Sequence, residues 1–362
     1  MSPFIYQEVF VGAMAAIALV MGGVRVASPG DTYKETGSGL MLPLILCTVI
    51  TLWIGLRPVS GAFGDTVNYA LEYSNLDPHD IKMNWNREWI WQWLMNGCKA
   101  IGLSVNSFFL IVAAGYVFTA LFAVHRFMPS DPVLGVVFLL CSLMFFPFAV
   151  NGLRNGLACH MVLLGASLLF DDKWLWGSLL CLIAFGIHRS VLLPIIAVFI
   201  GLFMMRDVRY AIIFWVLSII VSLVAGDAVS GFFSSLGFDD RMTQYISIDN
   251  MSEFSREGFR WDFLLYSAIP VVMAWYVCIY KNCSDNWYNV LCVTYLLCNA
   301  FWIMVIRSAF SNRFAYLSWF LYPVIIAYPL VNRKFRDDQD RFTGWILLAY
   351  ASFSVFMWFV FW

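Results

Sequence analysis

The sequence predicts an all-α polytopic membrane protein, and three observations carry that reading. Hydrophobic residue types make up 61% of the 362 residues and charged types only 12%, where a water-soluble chain carries about 25% charged residues. Apolar runs approaching the ~20 residues that a spanning helix needs recur along the whole chain. The runs are nearly charge-free at their centres. This composition excludes a soluble enzyme and a disordered chain. A formal net charge of −1 leaves no basic face to track phosphates along a duplex, so no nucleic acid is expected as a partner.

The candidate spans are residues 4–26, 39–56, 104–127, 133–150, 155–170, 174–187, 190–205, 210–226, 261–280, 287–306, 314–330 and 342–361, about twelve by the length criterion. The first run follows a stretch without basic residues, so it reads as a retained span and not a cleaved signal. Runs 174–187 and 190–205 are short and separated only by His188-Arg189. One long helix, a helical hairpin and a broken helix all remain open there, and such interruptions mark sites at membrane depth. Nothing repeats internally, so the chain reads as one membrane domain, 1–362, with two long connections at 57–103 and 227–260.

Twelve spans put both long connections on one face, together with Arg154, Arg189, Arg307 and Arg313. The opposite face collects 11 lysines and arginines in its short loops against those 4. Short loops decide orientation, so the face with more short-loop cations is expected to be cytoplasmic and the other external. The nine cysteines form no C-x-x-C and sit mostly in apolar runs. They read as small buried hydrophobes, with no metal site and no disulfide framework.

The four external short-loop cations are all arginine. A guanidinium offers a planar fork for carboxylate or phosphate, and charge at membrane depth usually lines a cavity. The plainer role is snorkelling to headgroups. Asn151-Gly-Leu-Arg154 opens a span, with Asn151 as a cap and Arg154 beside free helix N–H groups, an arrangement suited to an anion. Ala158, on the same face as Arg154, would let a ligand approach. His188 reads as a satisfied structural histidine or as a proton acceptor. Asp65 and Tyr69 share one helical face near Arg57, and Asp65 is either a cap or a functional carboxylate. Trp85, Trp89 and Trp93 form a stripe at helical spacing. It suits an interfacial amphipathic helix within 57–103, or an aromatic platform for sugar rings with Glu88 and Gln92 binding hydroxyls. Arg313 and Tyr316 are neighbours one turn apart. The connection 227–260 mixes both charge signs and is a candidate lid.

Taken in order, Gly55-Leu-Arg57, Gly64-Asp65-Thr-x-x-Tyr69, Glu88, Asn151-x-x-Arg154-x-x-x-Ala158, Ile-His188-Arg189-Ser190 and Asn312-Arg313-x-x-Tyr316 resemble the EpsG-like family of Wzy-type polysaccharide polymerases. Asn155 stands where that family usually has glutamine. The resemblance implies a glycosyltransferase of the bacterial inner membrane, acting on its outer face, with a GT-C-like helical bundle. Donor and acceptor would be undecaprenyl-pyrophosphate-linked oligosaccharides, with membrane lipid as surroundings and a chain-length regulator as a candidate partner. It implies no cofactor. Arg154, Arg189 and Arg313 would hold the pyrophosphate, supported by Arg57, Arg307 and Asn151. His188, Asp65 and Glu88 are the candidate bases, and Tyr69 and Tyr316 would orient sugars or phosphate. A lipid-linked oligosaccharide flippase, an O-antigen ligase and a membrane acyltransferase using His188 are the competing readings.

Overall fold

A computed structural model describes residues 2–27, 29, 39–77, 88–235, 258–307 and 311–361, and among them every regular element is a helix. In chain order these are α1 (Pro3–Ala27), α2 (Met41–Gly55), α3 (Thr66–Ser74), α4 (Trp89–Ala100), α5 (Val105–Phe127), α6 (Pro132–Leu140), α7 (Phe145–Val150), α8 (Leu153–Phe170), α9 (Trp174–Ile187), α10 (Leu192–Phe203), α11 (Val208–Ser235), α12 (Trp261–Ala274), α13 (Asn286–Met304), α14 (Ser311–Trp319), α15 (Tyr322–Asn332) and α16 (Gln339–Phe361). A π-helical turn, Trp275–Tyr280, extends α12. Eight described helical stretches are long and apolar enough to cross a bilayer, and α2, α9 and the stretch Arg189–Phe203 are shorter apolar helices. The chain is therefore a multi-pass membrane protein.

One break departs from the sequence expectation and a second settles an alternative that the sequence left open. Run 133–150 is two helices, α6 and α7, interrupted at Cys141–Met144. Pro147 has no N–H to give the carbonyl of Leu143, so helix continuity fails one turn before it. Run 174–205 is also two helices. His188 between them is extended (φ −152°, ψ 118°), which excludes the single long helix. Lys34, Lys82, Trp85 and Arg87 lie outside the described residues, as do Asp239, Asp240, Arg241, Asp249, Glu253, Arg256 and Glu257 of the candidate lid. All cysteines except Cys278 and Cys283 are buried.

The helices form two compact units, residues 1–188 with 327–362 and residues 189–326. In the first, α8 packs against α5 and α9, α2 against α5, and α1 against α16. Small residues set the α8–α9 distance. A Cβ placed on Gly177 would lie 2.9 Å from the Gly165 carbonyl oxygen, the close approach that glycine permits between spanning helices. At one end of this unit Arg25 pairs with both Asp131 and Asp340. At that same end Arg126, closing α5, binds Ser167 and Asp171, closing α8.

The second unit is organised on α13, which packs against α10, α11, α12 and α14. Its interior holds a neutral polar knot. Asn299 accepts from the Trp215 indole at 2.7 Å and donates to Ser267 at 3.1 Å and Ser318 at 2.9 Å. Trp319 also donates to Ser267, at 2.7 Å. With no water at that depth, such bonds fix helix register between otherwise apolar faces.

Candidate functional site

The site begins with a joint that Arg57 makes. Its side chain turns inward just past α2 and is 1% exposed. It donates to the Ile54 carbonyl at 2.9 Å, to Thr66 Oγ1 at 3.0 and 3.3 Å, and to the Val150 carbonyl at 3.3 Å. The guanidinium also sits 4.6 Å from the Phe109 ring. Burial lowers its pKa to about 10, still cationic at neutral pH. Thr66 completes the joint by donating to the same Val150 carbonyl at 2.6 Å. Arg57 thus ties the end of α2 to α3 and to the α7–α8 junction. Expected to support a pyrophosphate, Arg57 here gives its hydrogen bonds to the fold.

Beside that joint, the Asn151 side chain accepts the backbone N–H of Asp65 at 2.8 Å. Gly64 has φ +57°, and a Cβ there would fall 2.5 Å from Asn151 Oδ1. Only glycine serves both the backbone angle and the contact. Asn151 was expected to cap α8; the capping position is instead Gly152, without a side-chain bond. Asp65 occupies the capping position of α3 but makes no capping bond. Its carboxylate accepts from Asn68 at 3.2 Å.

These contacts aim Tyr69 at Arg154. Tyr69 is 6% exposed, packs edge-on against Trp91 and accepts from Arg154 Nε at 3.3 Å. Glu88 stands immediately before α4. Helix α4 reaches α9 at Gly186, where a Cβ would strike Ile90 at 2.3 Å, so Glu88 faces the end of α9. One carboxylate oxygen accepts from Arg154 Nη1 at 3.2 Å and the other lies 3.2 Å from His188 Nδ1. Burial would raise the Glu88 pKa, but the His188 hydrogen bond and the Arg154 charge outweigh it and hold it near 2, well below its ordinary value. The side chains of Arg154, His188 and Glu88 are 12%, 18% and 22% exposed, half-shielded but reachable.

This arrangement has a definite chemistry. An ionised Glu88 assigns the proton to His188 Nδ1, which leaves Nε2 as the acceptor. A histidine beside an orienting carboxylate is an arrangement that can activate a hydroxyl group. Among the described residues Arg154 Nη2 makes no hydrogen bond, and Arg154 lies in the first turn of α8, where backbone N–H groups favour an anion.

The remaining candidates belong to the second unit. Arg189 is exposed in the short 3₁₀ turn Arg189–Val191. Arg307 is exposed at the end of α13, against the kink of α11 at Ala225; a Cβ on Gly226 would meet its Nε at 3.2 Å. Arg313 is half-buried in α14, and Tyr316 is buried beside Phe320. Sequence reasoning missed Trp91, which is 1% exposed and braces Tyr69 and Phe108. It lies between Trp89 and Trp93 of the stripe and is buried where Trp93 is 60% exposed. Reasoning also missed that one carboxylate serves both basic groups. Sequence separations of 66 and 100 residues carry no local signal of that.

A sequence profile described as the EpsG family matches residues 40–362, from the start of α2 to the last residue. No curated protein and no solved structure matches the chain.

Proposed function

The chain belongs to the EpsG family, and from that premise we propose that it is a polysaccharide polymerase. It joins oligosaccharide repeat units carried on undecaprenyl pyrophosphate, at the outer face of a bacterial inner membrane. In this reading α2, α9, α10 and the α6–α7 pair cross with the longer helices, giving about twelve spans in a GT-C-like bundle. The observation that carries the proposal is Glu88 holding Arg154 on one oxygen and His188 on the other.

The reaction follows from those groups. A sugar hydroxyl of the acceptor attacks the anomeric carbon of the donor glycan. The new C–O bond forms as the bond to the diphosphate breaks. The hydroxyl proton passes to His188 Nε2, and the diphosphate leaves on its lipid. Arg154, with the first turn of α8, binds the charge that grows on the leaving group. A diphosphate is a good leaving group, so no general acid is required. Glu88 keeps His188 in the accepting tautomer and favours the imidazolium that forms, while Tyr69 fixes the Arg154 fork. Arg189, Arg307, Arg313 and Tyr316 are proposed as further contacts to the lipid-linked substrates, and Asp65 as an alternative base.

The test is incubation of the purified chain with a lipid-linked repeat unit and electrophoresis of the products. A ladder of lengths is expected. A single transfer onto another lipid would make it a ligase, and binding with no transfer a flippase.

A further inference from the structure

In the first unit, α1 and α16 touch closely at one end, where a Cβ on Gly344 would lie 2.7 Å from the Gly22 carbonyl oxygen. The Arg25–Asp340 pair closes that end. Toward the other end the two helices and the α6–α7 break enclose a crevice of about 390 Å³, counting its open mouth. Phe10, Met14, Leu140, Phe146, Ala351 and Val355 form its apolar walls. It reaches mid-span, where Cys141 meets the Met14 carbonyl at 3.6 Å.

Three further lining residues do not suit an empty apolar slot. Gln7 Nε2, Ser354 Oγ and Trp358 Nε1 are shut off from solvent and have no hydrogen-bond partner. Ser354 is 5% exposed. Ser167, Ser218 and Ser318 turn back onto a carbonyl; Ser354, like Ser222, does not. A buried donor without a partner costs about 1–3 kcal/mol, and a group that accepts from it removes that cost. Irregular backbone at membrane depth, here Cys141–Met144, is tolerated where it is buried in protein or lines a cavity. All three orphan groups can donate, and no lining residue carries a charge.

We propose that this crevice is a binding site for a glycerophospholipid. One acyl chain lies along α1 and α16, and the neutral ester oxygens accept from Gln7, Ser354 and Trp358. The uncharged lining disfavours a diphosphate headgroup, so this site is separate from that of the proposed polymerase substrates and does not depend on that reading.

The test uses the full chain purified in detergent, with dioleoyl phosphatidylglycerol added, and counts bound lipid by native mass spectrometry. One lipid retained per chain is expected. Ala351→Trp, which fills the crevice, should abolish retention. The paired change Gln7→Leu with Ser354→Ala removes donors without adding bulk and should lower retention at least tenfold. Leu19→Phe, on the exposed face of α1, should leave it unchanged. Should Ala351→Trp fail to fold, the paired variant decides. No retained lipid in the wild type overturns the proposal. So does equal retention by the paired variant, or displacement of the phospholipid by a polyprenyl diphosphate.

Discussion

Two ion triads stand at opposite ends of the first unit, and they are built on opposite principles. At one end a single guanidinium, Arg25, lies between two carboxylates, Asp131 and Asp340, whose side chains are each 8% exposed. Asp131 also accepts the Leu134 N–H at 3.0 Å, so it caps α6 while gripping α1. At the other end one carboxylate, Glu88, lies between two basic groups, and its side chain is 22% exposed. The first triad is shut. The second has an excess of basic groups, is half open, and leaves Arg154 Nη2 and His188 Nε2 without hydrogen bonds among the described residues. Charge that serves only the fold is saturated by its partners. The open triad has a donor and an acceptor to offer, which is what the proposed reaction asks of it.

The comparison breaks most sharply at Arg154. Arg154→Ala should lower polymer formation about 10³-fold, the scale expected when a donor to developing charge is removed. The protein should still insert and accumulate. Arg154→Lys should recover little, because a point charge cannot hold Tyr69, Glu88 and a diphosphate with one fork. Normal ladders from both variants would remove Arg154 from the reaction. His188→Ala comes next, with a loss of about 10²–10⁴-fold. Glu88→Gln should cost less, because an amide oxygen can still accept from His188 Nδ1. Turnover equal to that of the wild type would separate Glu88 from the reaction.

Arg25→Ala tests the other half of the contrast. Removing that cation takes the shared guanidinium from two buried carboxylates and should destabilise the protein by about 3–5 kcal/mol. Transfer per folded molecule should be unchanged. A thermal melt alongside the ladder assay separates the two readouts, and a loss of turnover without a loss of melting temperature would join the two ends functionally.

The spans were legible in the sequence because membrane insertion is written locally, in apolar length. The break at His188 was legible as an ambiguity, since two short runs cannot hide a polar pair between them. The break at Cys141–Met144 was not read, although Pro147 carried its cause, because every residue across it except Ser142 is apolar. Arg57 and Arg154 look alike in sequence: each ends or opens a helix on the same expected face. What separates them is Thr66 and the Val150 carbonyl closing on one, and Glu88 and Tyr69 only half closing on the other. Those are tertiary facts, and they turn one arginine into a joint and leave the other with a donor to offer.

The smallest expected effect is on acid stability. Glu88 has its pKa held near 2 in the folded chain against an ordinary 4.5. A depressed folded-state pKa means that the unfolded chain takes up the proton first as pH falls. The stabilisation from the Glu88 contacts is therefore fully present above the ordinary value and is lost as pH falls toward about 2. Glu88→Gln removes this titration while keeping the side chain's shape. The melting temperatures of wild type and Glu88→Gln in detergent should differ most near neutrality, and the difference should shrink steadily below about pH 4.5. A difference that stays constant through that range would mean the carboxylate is not ionised between its two basic neighbours, and the open triad would lose the charge on which its chemistry rests.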